Sequence, residues 1–328
     1  MSMPRLPLLA ATLTMTALPA FAAPDVVTDM SPTGALVQEV MGDLGTVHVL
    51  LPRAAGAHQY TMRPSDARTL QGADLLVWMG PELTPWLERS AENLAEDTRQ
   101  LRLLTVDGTI LQRYDEGGDE HEGHQHEGHD HGDHEAHGDH GDHGDHDQED
   151  GHQGHDHEGI DPHAWLNPQN AGPWLDSIAA TLSEQDPQNA ETYRQNARAA
   201  AERIAALDTS LSDRLAPWSE TSFVVFHDAY SYFTRHFGLK SAVALSLGDA
   251  ATPSAARVQL VRDQVIATKA VCAFPEFAHD PSLLATVTEG TDTRTGGELS
   301  PEGADGNAES YDAILTGLAD TIIACFEG

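Results

Sequence analysis

The sequence predicts an α/β fold: two β/α lobes with mainly parallel sheets, joined by one long helix. Three observations carry that prediction. Apolar runs such as ADLLVWM (73–79) and TSFVVF (221–226) alternate with helical stretches in both halves of the chain. That is the rhythm of parallel strands buried on both faces. Between the halves, Tyr193, Ala197, Ala200, Ile204, Leu207, Leu211 and Leu215 step by threes and fours along one amphipathic helix. With 328 residues, 40% of them apolar, the chain can bury a core in each lobe.

Residues 1–22 come first and have the pattern of a secretory signal peptide. Arg5 precedes an apolar run from Leu6 to Leu18, and Ala20-Phe21-Ala22 forms a small-residue cleavage site. The run is shorter than the roughly 18 apolar residues that cross a bilayer, and no later run reaches that length. The mature chain is therefore expected to be exported to the periplasm. Its N-terminal lobe is assigned to residues 23–186. Strands are expected at 24–27, 46–51, 73–79 and 101–106, with helices at 34–41, 64–70 and 82–95; Ser65 stands where it would cap the second helix.

The rhythm stops after Tyr114. Residues 115–158 hold 13 histidines and 17 carboxylates, with no Lys, no Arg and no apolar residue larger than alanine. Such a segment cannot bury enough surface to offset its ordering entropy, so a disordered loop is expected there. The linking helix is assigned to 187–216; at about 1.5 Å per residue it can act as a strut the length of a domain. The C-terminal lobe, 217–328, repeats the first pattern. A strand at 221–226 runs into His227-Asp228, a helix follows through Phe237-Gly238, and further elements fall at 241–247, 255–268, 270–274, 280–288 and 311–326.

Charge narrows the partners. Eighteen Lys+Arg against 52 Asp+Glu give a net charge of −34, and −34 + 17 leaves −17 outside the histidine-rich segment. Nucleic acid and anionic membranes are excluded, since both require cationic side chains. A metal cation fits. The two cysteines, Cys272 and Cys325, would sit in an oxidising compartment, where an isolated exported pair is expected to bond; without Cys-X-X-Cys spacing they read as a structural staple and not a catalytic pair.

Six histidines lie outside the segment: His48, His58, His163, His227, His236 and His279. His58 follows the strand TVHVLLP in the loop RAAGAHQY, His163 sits in DPHAWLNP, and His227 ends TSFVVFH. Ligands of open α/β sheets bind beyond the carboxyl ends of strands, where side chains from such loops converge. Three neutral imidazoles at one point would suit tetrahedral zinc, whereas manganese or calcium calls for more carboxylates. His48 alternates with apolar residues on a strand, His236 is expected on an exposed helix face, and His279 has only Asp280 beside it. None of these three is a ligand candidate.

GAHQYTMRPSDARTLQGADLLVWMGPELTPWL, DPHAWLNP and FVVFHDAYSYFTRHFGL resemble the signature blocks of the cluster A-I metal-binding proteins of bacterial ABC importers. The match is closest to the high-affinity zinc-uptake members. The resemblance implies a metal clasped in the interlobe cleft, a rigid linking helix, and His58, His163 and His227 as ligands. It also implies a Cys272–Cys325 disulfide, a monomer, and delivery of Zn2+ to an inner-membrane ABC permease. Two departures stand out. Ala57 occupies a position that is acidic in many relatives. Near the start of the last helix, where manganese relatives carry Asp, this chain has Glu309. Glu309 or a water completes the tetrahedron, Asp312 is a weaker candidate, and Glu309 at a helix N-terminus also complements the dipole.

The segment histidines (His121, His124, His126, His129, His131, His134, His137, His140, His143, His146, His152, His155 and His157) are expected to form an auxiliary, low-affinity zinc collector. Ordering a flexible ligand set lowers its affinity relative to a preformed cleft. Such a loop would raise the local zinc concentration, receive zinc from a periplasmic metallochaperone, or buffer excess. Three other functions compete: a manganese or broader divalent-metal receptor, a zinc-dependent hydrolase, and a metal-sequestering or adhesin-type protein with no transporter. Three histidines and an open position also describe catalytic zinc. No HExxH motif is present, however, and no general base can be assigned beside the site, so an enzyme is not expected.

Overall fold

The apolar runs at 26–28 and 75–78 become the two central strands of the first lobe, buried on both faces as their composition requires. The computed structural model describes residues 23–328 apart from 54, 59, 96, 115–158, 247–252, 278 and 304–309. The first sheet contains β1 (Val26–Thr28), β2 (Val47–Val49), β3 (Leu75–Trp78) and β4 (Arg99–Arg102), all parallel in the order β2-β1-β3-β4. Helices α1 (Ser31–Met41), α2 (Pro64–Gln71) and α3 (Pro85–Leu94) connect them. Each has proline in its first turn, where the missing N–H costs nothing. Helix α1 lies so close to the sheet that a Cβ on Gly34 would stand 2.6 Å from Val49 Cγ2.

Three local expectations are corrected. Ser65 is inside α2 and does not cap it; the Asp66 carboxylate accepts the Arg63 N–H instead, at 2.8 Å. The helix expected at 82–95 begins at Pro85, because Gly80, at φ +142°, turns the chain first. The strand expected at 101–106 ends at Arg102 and gives way to a 3-10 turn over Leu103–Thr105. That turn sends Leu103 and Leu104 into the core together, which an alternating strand cannot do.

A short antiparallel pair, β5 (Gln112–Arg113) and β6 (Ile160–Asp161), joins the two ends of the histidine-rich segment. It leads into α4 (Ala171–Gln185) and then α5 (Ala190–Leu215), a helical hairpin turning at Pro187. The sequence reading did not anticipate α4. The 26-residue α5 buries Tyr193, Ala197, Ala200, Ile204, Leu211 and Leu215, with Leu207 half-buried. It packs along α4 and α1 on one side and reaches α9 (Tyr311–Glu327) on the other.

The second sheet holds β7 (Phe223–His227), β8 (Val243–Ser246), β9 (Cys272–Phe274) and β10 (Arg294–Thr295), parallel in the order β10-β9-β7-β8. Helices α6 (Ser231–His236), α7 (Ala255–Thr268) and α8 (Ser282–Thr288) complete the lobe. Cys272 on β9 is bonded to Cys325 on α9. One apolar core, containing Leu36, Trp165, Tyr193, Phe223, Phe274 and Tyr311, runs through both lobes, and smaller clusters cover the other faces of the two sheets.

Candidate metal centre

His227 is the last residue of β7, so its side chain leaves the sheet at the carboxyl edge. His163 follows β6 by two residues, in a turn where the Asp161 carboxylate accepts the His163 backbone N–H at 3.0 Å. His58 lies in the loop after β2. The Leu50 and Leu51 N–H groups bond the Thr28 and Asp29 carbonyls, each at 2.8 Å, and keep that chain beside β1. The loop is then fixed by the Trp86 indole N–H, which donates to the Ala57 carbonyl at 2.7 Å.

These three local arrangements bring the rings together. Nε2 of His163 is 3.4 Å from Nε2 of His58 and 3.4 Å from Nε2 of His227. One nitrogen from each of the three histidines lies within 4.8 Å of the others. His163 and His227 are 1% exposed, and His58 is half-buried at the mouth. A tetrahedron with bonds of about 2.0–2.1 Å to nitrogen has edges of about 3.3–3.4 Å; an octahedron with the same bonds places adjacent ligands about 2.9 Å apart. The two separations from His163 are those of a tetrahedral edge.

Behind two of the rings stand carboxylates. Nδ1 of His163 bonds Asp161 Oδ1 at 2.7 Å, and Nδ1 of His227 lies 2.6 and 2.7 Å from the two oxygens of Glu276. A carboxylate acceptor at Nδ1 selects the tautomer with its proton there, which leaves the Nε2 lone pair facing the centre. Asp161 is held in turn by the Ser231 hydroxyl at its other oxygen, while the Tyr232 hydroxyl donates to its carbonyl at 2.9 Å. Residues from the second lobe thus orient His163. The Tyr230 hydroxyl, 3.4 Å from Glu276, is fully buried; burial, with Glu276 and Glu302 adding, pushes it well above its ordinary range, so it stays protonated and donates.

Asp161 and Glu276 were absent from the sequence reading. Asp161 sits in DPHAWLNP and Glu276 four residues after Cys272, and an aspartate two residues before a ligand candidate is itself a signal for a local turn. His279 also differs from expectation: its ring packs 4.4 Å from Phe226, and its Nε2 is 3.5 Å from Glu276. His236 is mostly buried and paired with Asp208 at 2.6 Å, while His48 lies exposed on β2. Asp312 does not face the histidines; it bonds Arg203 at 2.7 Å. Glu309, the 13 segment histidines and the signal sequence lie outside the described residues.

Two parallel-sheet lobes, a long helix between them, and three convergent imidazoles at the strand ends define a two-lobed metal-binding protein. The ZnuA family, zinc-uptake complex component A periplasmic, matches residues 26–325, and the chain belongs to it. It is 54% identical over 320 residues to the high-affinity zinc uptake system protein ZnuA of Paracoccus denitrificans, covering 97% of this chain and 96% of that one. The protein of the same name from Brucella abortus is 37% identical, covering 92% and 91%. Among solved structures, a manganese-bound mutant of the periplasmic metal binding protein of Candidatus Liberibacter asiaticus superposes with a TM-score of 0.72 at 23% identity, over 92% of this chain and 98% of that one. A mutant of the laminin-binding adhesin of Streptococcus agalactiae gives 0.72 at 22%, over 92% and 99%. These structural neighbours share the fold.

Proposed function

We propose that the chain is a periplasmic zinc receptor, exported by the signal sequence at 1–22. It captures Zn2+ between lobes 23–186 and 217–328 and delivers it to an inner-membrane ABC permease. One observation carries this above the others: Nε2 of His163 stands at a tetrahedral edge length from Nε2 of both His58 and His227, and the Nδ1 atoms of His163 and His227 are tied to carboxylates. His58, His163 and His227 are the protein ligands, and Glu309 or a water takes the fourth position. A set with three imidazoles favours zinc over manganese, which prefers oxygen. The relatives named above as zinc uptake proteins agree with that choice.

The protein binds and releases its cargo without turning it over, acting as a monomer. Its histidine-rich segment gathers zinc at lower affinity, from solution or from a metallochaperone, and holds excess. Manganese is the competing cargo, since solved neighbours include a manganese-bound protein. Chelator-stripped protein lacking 115–158, titrated calorimetrically with zinc, manganese and copper, decides between them. Zinc should bind one equivalent tightly in the cleft. Alanine at His58, His163 or His227 should weaken that site by orders of magnitude, and three near-native curves would overturn the assignment. Loss of the tight site on deleting 115–158 would place the primary binder in the segment instead.

A further inference from the structure

Arg203 lies near the middle of α5 and bonds carboxylates from both lobes. Its guanidinium donates to Glu39 on α1, of the first lobe. It also grips Asp312, at the start of α9 in the second lobe, through Nε at 2.7 Å and Nη2 at 3.4 Å. Glu39 and Asp312 are only 17% and 23% exposed, so solvent screens them less than a surface pair. Burial lifts the Glu39 carboxyl above its ordinary range; Arg203 opposes that shift and Asp312 adds to it. The two carboxylates therefore repel across the lobe boundary, and Arg203 neutralises the repulsion.

The same turn of α9 leads to the histidines. Tyr311, beside Asp312 and fully buried, donates its hydroxyl to the Trp165 carbonyl at 2.5 Å. The Trp165 indole N–H donates to the Pro301 carbonyl at 2.8 Å, and its ring lies 5.2 Å from the ring of His163. His163 is the middle member of the trio, at 3.4 Å from each neighbour. A small change in lobe spacing at α9 is therefore felt where His58 and His227 must both reach His163.

We propose that Arg203 is a positioning residue for the cleft: by joining α1 to α9 it sets the lobe spacing at which the three imidazoles converge. This rests on the trio being the metal site. A helix-bridging pair without this role is available as a control, because Arg214 joins α5 to Asp320 on α9 without reaching α1.

The test compares full-length wild type with Arg203→Met, which keeps most of the aliphatic stem, with Arg203→Met/Glu39→Gln/Asp312→Asn, and with Arg214→Met. Zinc release is timed with a competing chelator. The lobe separation of the metal-free protein is measured by electron–electron resonance between spin labels at Glu92→Cys and Gln259→Cys. Arg203→Met should broaden the distance distribution and speed release by about five- to tenfold, a little above the effect of breaking an exposed pair. Removing both carboxylates as well should restore most of each property, and Arg214→Met should change neither. The proposal is overturned by an unchanged distance distribution, by unchanged release from protein that binds zinc, or by a triple variant as impaired as Arg203→Met. Wild type that binds no zinc in the cleft would sink the receptor function, while the distance measurement would still decide whether Arg203 sets the spacing.

Discussion

Glu276 offers a demanding test of the histidine centre, because it stands behind the His227 ring, on the Nδ1 side. Its carboxylate holds Nδ1 of His227 at 2.6 and 2.7 Å inside a site where His227 is 1% exposed. Glu276→Gln keeps the size and removes the charge. The amide can present its carbonyl to the Nδ1 proton, which preserves the tautomer but weakens the ligand's basicity. Presenting its NH2 instead forces the proton onto Nε2 and blocks coordination. Loss of such a carboxylate behind a ligating histidine typically costs about 10–100-fold in metal affinity, or about 1.4–2.7 kcal/mol. Competition against a fluorescent zinc chelator at neutral pH measures this directly, with thermal unfolding of the metal-free variant as a check on folding. Wild-type zinc affinity in a folded Glu276→Gln protein would refute the claim that the His227 tautomer is set from behind.

Three further outcomes are expected. Cys272→Ser/Cys325→Ser opens a link spanning 53 residues, which should lower unfolding stability by about 4 kcal/mol on the chain-entropy account; denaturant titration checks it. Gly296→Ala would place a Cβ 2.4 Å from the Phe274 ring, a buried group that cannot step aside, so a loss of about 1–3 kcal/mol is expected in the same assay. Burial raises the Asp29 carboxyl to about 6 despite hydrogen bonds from the Met79 and Met30 N–H groups. The folded state therefore holds that proton more tightly than the unfolded chain, and ionisation opposes folding as pH rises from about 4 to 6. The stability difference between wild type and Asp29→Asn should shift across that window, by up to about 3 kcal/mol, and a flat difference would contradict it.

How much the sequence disclosed depended on the range of the forces involved. Helix α7 was expected at 255–268 and spans Ala255–Thr268, because its start is a local event: the Ser254 hydroxyl caps the Arg257 N–H. His58 and His227 were legible because each follows a strand-like run and strand ends of parallel sheets gather at one edge, whereas His163, beyond an antiparallel pair, was marked only by its block DPHAWLNP. Glu276 was not, since its hold on His227 joins residues 49 apart in sequence and becomes visible only once β9 lies beside β7. Asp312 misled for a similar reason. Its place at a helix start suited a ligand, yet a cation on a different helix, 109 residues away, claims it. Helix α4 was hidden by the Gly and Pro of AGPWL at its start, although its buried face, Trp174, Leu175, Ile178 and Leu182, is regularly spaced.

The β5–β6 pair has a consequence for how such a protein can change. Gln112 faces Asp161, Arg113 faces Ile160, and the Tyr114 N–H reaches the Gly159 carbonyl at 3.4 Å. Both ends of whatever chain lies between are thereby anchored at one spot. For loops in general, closing a longer connection across fixed ends costs only about 0.6 kcal/mol for each doubling of length. Chain can therefore be added or removed beyond the stem at little cost, while Asp161 goes on holding the His163 ring.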